Sequence, residues 1–170
     1  KHQKYCSILM HTITTIGQLK KSGYQTKTIK QELRDNLIAS LKSGKKTFNG
    51  IIGYDTSVIP DVERAILSKH NILLLGLRGQ AKTRIARQMV NLLDEFIPIV
   101  AGSEILDDPL QPLSRFAKDL IEINGDETPI EWVHRSERFG EKLATPDVTV
   151  ADLIGDVDPI KAATQKLNYS

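Results

Sequence analysis

The sequence predicts an α/β fold built on a parallel sheet, and three consecutive segments lead to that prediction. Residues 71–75, Asn-Ile-Leu-Leu-Leu, form a short, unbroken apolar run of the kind found in strands that are buried on both faces. A glycine-containing turn follows at once, and apolar residues at helical spacing then predict a helix over residues 82–95. Strand, turn and helix together make half of a βαβ unit, from which parallel sheets are built.

The composition bounds the class of protein. The chain has 170 residues, of which 40% are hydrophobic and 26% are charged, as in globular rather than disordered proteins. The single cysteine, Cys6, cannot form an internal disulfide and is typical of a reducing compartment, so we expect a cytoplasmic protein. No apolar run approaches the roughly 20 residues that span a bilayer, so we expect no membrane segment.

Charge is unevenly distributed along the chain. Residues 1–70 hold 12 Lys and Arg against 5 Asp and Glu, a net charge of 12 − 5 = +7, whereas residues 71–170 hold 11 against 16, a net charge of −5. A basic N-terminal segment of this kind has two interpretations: it binds nucleic acid or an acidic partner, or it is a solvated surface without a binding role. Aromatic residues, on which nucleic acid bases stack, make up only 5% of the chain, so nucleic acid binding is the less favoured interpretation.

The first part of the chain predicts a basic helix that precedes the sheet. Residues 1–16 show no periodic apolar face, and we expect them to be disordered and outside the fold. Thr28 begins a capping-box pattern, and apolar residues then recur at helical spacing as far as Leu41. Residues 17–47 are therefore predicted to form an amphipathic helical extension, and residues 48–170 the domain that follows it.

Further helices and strands are predicted on both sides of the glycine turn. Ser57 is the predicted cap of a helix that precedes the strand, with Pro60 tolerated in its first turn. Four short elements are predicted later in the chain: strands at residues 97–100 and 130–133, and helices at residues 114–123 and from Pro159 onwards.

The glycine turn carries the motif on which the functional prediction depends. Gly76-Leu-Arg-Gly79-Gln-Ala81-Lys82-Thr83 matches the phosphate-loop pattern G-x-x-x-x-G-K-[ST], except that Ala81 replaces the second glycine. Small residues let backbone N–H groups converge on phosphate oxygens, and the following helix adds the positive end of its dipole. Lys82 is expected to neutralise phosphate charge, and Thr83 to place its hydroxyl on Mg²⁺. The alternative interpretation is a plain glycine turn with an exposed lysine.

The alanine in this motif allows two backbone conformations. If residue 81 needs a positive φ, a methyl group is unfavourable there and crowds the phosphates. If residue 81 already has helical dihedral angles, alanine is acceptable.

Three stretches together resemble one family. The loop is similar to that of the MoxR group of AAA+ ATPases, which has the form G-x-P-G-x-A-K-T; Arg78 stands here where proline is usual. Upstream, Ile51-Ile52-Gly53 resembles the I-[IV]-G-Q element that lines the adenine pocket in this family, with Tyr54 in place of glutamine. Downstream, Thr145-Pro-Asp147, Asp152 and Gly155 follow the family stretch T-P-D-x-x-x-x-D-x-x-G.

The resemblance implies a fold and a set of ligands. It implies the parallel sheet of a phosphate-loop NTPase with flanking helices, of which residues 48–170 form the N-terminal part. It implies ATP or ADP and Mg²⁺ as cofactors, with Lys82 as the catalytic residue and Thr83 as the metal ligand. The cofactor-binding residues that it implies are Ile51, Ile52, Gly53, Gly76, Gly79, Gln80, Ala81, Lys82, Thr83 and Arg84.

The resemblance also implies an activity and partners. Members of the MoxR group and the related magnesium chelatase ATPase subunits form ring homo-oligomers. Their ATP hydrolysis drives chaperone-like remodelling of a partner, or metal insertion, and the partner has a von Willebrand-type metal-binding domain. The same activity and partners are expected for the complete protein.

The acidic residues that hydrolysis requires are not evident in the sequence. Asp94 and Glu95 end an apolar run, as in a Walker B box, but they fall on the predicted helix that leads away from the phosphates. The chain is therefore expected to be a truncated module that lacks hydrolytic activity, and a nucleotide-binding regulatory or assembly module without hydrolysis is the alternative function. A second acidic pair, Asp107 and Asp108, is either a cation site or two loop acids.

Overall fold

A computed structural model describes residues 13–142 and 145–155 of the chain. These residues divide into two units, one that ends at Phe139 and one that begins at Gly140. Residues 1–12, most of the segment expected to be disordered, and the helix predicted from Pro159 lie outside the described residues.

Helices dominate the first unit. They are α1 (Ile16–Lys21), α2 (Ile29–Lys42), α3 (Val58–Leu67), α4 (Lys82–Met89) and α5 (Arg115–Asn124), with short 3₁₀ helices at Val90–Leu92, Gly125–Glu127 and Arg135–Arg138. The strands are β1 (Phe96–Val100) and β2 (Ile130–His134). Side-chain caps explain where several helices begin: the hydroxyls of Thr15, Thr28 and Ser114 each accept a hydrogen bond from the backbone N–H three residues later.

The prediction of a parallel sheet is wrong for the part of the chain that the structure describes. The sheet there is two-stranded and antiparallel, with Phe96 opposite His134 and Val100 opposite Ile130. It is made of the two short strands expected at residues 97–100 and 130–133. Residues 71–75, which the sequence predicts as a strand buried on both faces, do not belong to it.

Residues 71–77 show why that prediction fails. Ile72 and Leu74 pack against the core, whereas the alternate leucines point outward, with exposed fractions of 79, 82 and 77% at Leu73, Leu75 and Leu77. This period of two is that of an extended segment covered on one face only. An unbroken apolar run does not reveal whether its second face is covered, and the described residues supply no neighbouring strand here.

Helix α2, which lies in the predicted helical extension, contributes to the core. Leu37 of α2 is completely buried in a cluster that also contains Phe48, Ile66 and Ile85, so α2, α3 and α4 pack together. The described fold also begins earlier than the boundary at residue 16. A second cluster contains Ile13, Ile16, Leu19 and Ile130, and joins α1 to β2.

The helix predicted over residues 82–95 is shorter in the structure. α4 ends at Met89, and Asp94 and Glu95 lie on the link to β1. The backbone N–H of Asp94 donates to the carboxylate of Glu32, which also forms a two-point ion pair with Arg138, with both N–O distances 2.7 Å. The Glu32 and Arg138 side chains are only 3 and 9% exposed. This buried ion pair therefore connects α2 to the 3₁₀ helix at the end of the unit, and both charges are hydrogen-bonded.

Asp107 organises the loop between β1 and α5. Its carboxylate accepts hydrogen bonds from the hydroxyls of Ser103 and Ser114 and from the backbone N–H groups of Leu113 and Ser114. Burial opposes the charge on Asp107, but these hydrogen bonds outweigh that effect and lower the pKa of the carboxyl to about 2. Asp108 accepts hydrogen bonds from Thr26 and Leu110, so the contacts of both residues favour the loop-acid interpretation.

The second unit contains one short described helix, α6 (Val150–Ile154). Thr149 and Asp152 form a reciprocal capping box at its start, and Lys142 forms an ion pair with Asp152 at 3.7 Å. Asp152 therefore caps a helix. Among the described residues, no helix has both the length and the apolar character needed to cross a membrane.

Candidate functional site

The predicted phosphate loop connects the extended segment 71–77 to α4, and its backbone depends on unusual dihedral angles. Gly76 has φ = 153° and Gly79 has φ = 81°. A Cβ atom on Gly76 would lie 2.1 Å from Oε1 of Gln80, the end of a flexible side chain that would then have to move. Both glycines of the motif are thus explained by their backbone conformation.

Ala81 adopts the conformation that is unfavourable for alanine. It precedes α4 with φ = 55° and ψ = 14°, which is the left-handed region. The structure therefore selects the first of the two conformations that the sequence allows. Glycine, the usual residue of the motif at this position, adopts this conformation without steric cost.

Lys82 folds back onto its own loop. Its Nζ donates a hydrogen bond of 2.8 Å to the carbonyl oxygen of Gly76 and a second one to the carbonyl oxygen of Leu77. The side chain is half-buried, and the ammonium group is held by two neutral acceptors. Thr83 and Arg84, the next two residues of α4, are exposed.

A cavity of about 370 Å³ opens beside this loop. Its walls come from α3, from the extended segment 71–75 and from the loop itself, and its polar lining residues are Tyr54, Asp61, Asn71, Gln80 and Lys82. Apolar side chains of α3 and of the extended segment complete the walls. A volume in this range, with mostly apolar walls and a few polar groups, is typical of small-molecule sites.

The structure places the three residues expected near an adenine base in different surroundings, one in the core and two at the surface. Ile51 is 7% exposed and belongs to the core, whereas Ile52 is 92% exposed. Gly53 has φ = 85° and lies at the surface. None of the three lines the described cavity; Tyr54, the next residue, does.

The segment around residues 48–54 is attached directly to α4. The Gln88 side chain exchanges two hydrogen bonds with the backbone of Asn49, and the Arg84 guanidinium lies so close to Gly50 that a Cβ atom there would be 2.6 Å from Nη2. The two predicted ligand-binding stretches are therefore neighbours in space. Sequence patterns gave no indication of the role of Gln88, because its partner is a backbone group 39 residues away.

The predicted metal ligand has no cluster of acidic partners. In the part of the chain that the structure describes, no group of three or more His, Cys, Asp or Glu residues is arranged to hold a metal ion. Mg²⁺ in phosphate sites is usually held by one or two protein oxygens together with the phosphates and water. Thr83 is exposed and is not among the residues that line the cavity.

Comparison of the chain with protein-family models, with curated proteins and with solved structures finds no match in any of the three. Support for a function comes from the motif and from the geometry of the site.

Proposed function

We propose that the chain binds ATP or ADP with Mg²⁺ in the cavity beside the loop of residues 76–83. The observation that carries this proposal is the position of Lys82, which lines the cavity while its ammonium group rests on two carbonyl oxygens of the loop. The ammonium is already a charged donor in these bonds, and a phosphate oxygen adds a charged acceptor, so phosphate offers an ion–ion attraction that the neutral carbonyl oxygens lack. Phosphate binding is thus favoured over the internal contacts of the lysine.

The remaining parts of the loop support the same ligand. The loop ends at the N-terminus of α4, an eight-residue helix whose first backbone N–H groups and dipole favour an anion. Thr83 contributes one hard oxygen to Mg²⁺, and the bound ion neutralises part of the phosphate charge.

The larger activity is proposed from the resemblance to the MoxR group and the magnesium chelatase ATPase subunits. In this proposal, ATP hydrolysis in a ring homo-oligomer drives chaperone-like remodelling, or metal insertion, in a partner with a von Willebrand-type metal-binding domain. The reaction is phosphoryl transfer to water, and Lys82 contributes by positioning the phosphates and neutralising their charge.

One observation favours the alternative, a nucleotide-binding module without hydrolysis. The Asp94 carboxylate accepts a hydrogen bond from Asn36, and the Glu95 carbonyl accepts one from the backbone N–H of Arg135. These contacts tie the only acidic pair that resembles a Walker B box to α2 and to the end of β2. Phosphate release from Mg-ATP separates the two functions, because the alternative requires binding without turnover.

Calorimetric titration with Mg-ADP tests the proposed binding. Lys82→Ala is expected to weaken binding by about 10- to 100-fold, since hydrogen bonds to charged groups contribute roughly 1.5–3 kcal/mol. Lys30→Ala is the matched control, because Lys30 is an exposed lysine of α2 outside the site, and it is expected to bind like the parent. Equal affinities for the parent and Lys82→Ala would refute the proposal.

A further inference from the structure

The extended segment 71–77 carries a row of backbone groups without partners. Among the residues that the structure describes, the N–H and C=O groups of residues 71–75 take part in no hydrogen bond. The carbonyl oxygens of Gly76 and Leu77 accept from Lys82, so the free row ends before them. Extended backbone with unpaired N–H and C=O groups is a template on which a further strand can pair.

One face of the same segment is a row of exposed leucines. Leu73, Leu75 and Leu77 are 79, 82 and 77% exposed, whereas Ile72 and Leu74 pack against the core. The inward face therefore fixes the segment on the protein, and the outward face stays apolar and open. A strand that pairs with this segment brings its own alternate side chains alongside the leucine row, where apolar side chains gain contact area.

A cation stands at each end of this apolar segment. Lys69 precedes it and Arg78 follows it; both residues are exposed, and within the described part of the chain neither forms an ion pair. Residues 71–77 themselves contain no charged side chain. A second copy of the segment would bring two more cations to the contact, whereas a strand with a carboxylate at each end neutralises both. The charges therefore favour an acidic partner over self-association.

We propose that residues 71–77 are a strand-addition site for an extended peptide segment of another protein, with apolar residues at alternate positions and an acidic residue at each end. In a contact of this kind, main-chain hydrogen bonds to residues 71–75 supply affinity, and side chains supply specificity. The leucine row selects apolar side chains, and Lys69 and Arg78 select the acidic ends. The inference goes beyond nucleotide binding and does not depend on it.

Calorimetric titration with two synthetic peptides tests the charge requirement. Both have the core Val-Thr-Val-Thr-Val with blocked termini, and one carries Glu and the other Lys at each end. The protein is free of nucleotide, because residues 71–75 also line the cavity. We expect the parent to bind the Glu peptide about tenfold more tightly, since two exposed ion pairs replace two repulsions. The double variant Lys69→Glu/Arg78→Glu is expected to reverse this preference.

Two further measurements locate the peptide on the segment. Leu73→Ala is expected to bind the Glu peptide about fivefold more weakly. Leu113→Ala is the matched control, because Leu113 is 78% exposed in the loop before α5, and it is expected to bind like the parent. Amide hydrogen exchange is expected to slow at alternate residues within 71–75 when the Glu peptide binds, because a strand added at one edge bonds every second N–H.

Several results would overturn this inference. Equal affinities of the parent for the two peptides, or no binding of either, would show that the segment does not select an acidic strand. Unchanged exchange at residues 71–75 on binding would place the peptide elsewhere. Protection of these residues that rises with protein concentration, without any peptide, would show that a second copy covers the segment. None of these results bears on Mg-ADP binding, which the comparison with Lys82→Ala tests separately.

Discussion

Replacing Ala81 with glycine is expected to stabilise the protein, although glycine in place of alanine destabilises the interior of a helix. Ala81 precedes α4 in the left-handed region, with φ = 55° and ψ = 14°. The left-handed conformation costs an L-residue roughly 1–2 kcal/mol, because its Cβ approaches the following carbonyl oxygen. Ala81→Gly removes the methyl group and with it this cost.

The unfolded chain opposes part of this gain. Glycine gives the unfolded state more conformational freedom than alanine does, which is worth about 0.4–1 kcal/mol. The net stabilisation is therefore expected to be about 0.5–1 kcal/mol. For a chain of this length, such a change raises the melting temperature by about 2–3 °C.

Urea denaturation measures the effect, and a second alanine supplies the control. Ala39 is exposed inside α2, where the backbone is right-handed, so Ala39→Gly is expected to cost about 1 kcal/mol. The same chemical change at two sites is therefore expected to have opposite signs, with shifted midpoints and unchanged m-values. If Ala81→Gly lowers the midpoint as Ala39→Gly does, Ala81 is not left-handed in solution and the reasoning fails.

Two further predictions concern the loop acid and the extended segment. Asp107→Asn is expected to remove about 2 kcal/mol of pH-dependent stability, because the pKa of Asp107 is about 2 in the fold against 3.8 for an ordinary aspartate. That contribution is present in full above about pH 4 and is lost as the pH falls to 2. Urea unfolding from pH 2 to 7 measures it, and identical pH slopes for parent and variant would contradict it. Leu74→Ala is expected to cost about 1–3 kcal/mol because Leu74 packs on the core, whereas Leu73→Ala, at a side chain that is 79% exposed, is expected to cost less than about 0.5 kcal/mol. Thermal melts of the two variants compare them directly. Equal losses of stability would contradict the structure, in which Leu74 packs on the core and Leu73 is exposed.

The sequence determined the local structure because the relevant signals act over a few residues. The capping pattern at Thr28, and the helical spacing of apolar residues after it and over residues 114–123, place α2 and α5 within a residue or two of their observed bounds. Both short strands also lie where apolar and β-branched residues predict them. The two loop glycines, Gly76 and Gly79, were likewise recognisable from the motif, and the structure gives both of them the positive φ that favours glycine.

Only the tertiary structure decided how these strands pair and how the helices and the loop pack together. Val100 pairs with Ile130 across 30 residues, in an antiparallel sense that no local pattern specifies. The exposure of one face of residues 71–77, and the presence of Tyr54 and Lys82 in the lining of one cavity, depend on which distant segments cover the chain. The bond between Gln88 and Asn49 is of the same kind, because a backbone acceptor carries no sequence signature. Periodicity and capping are short-range properties, whereas strand pairing and the covering of a second face are set by contacts between residues far apart in the chain.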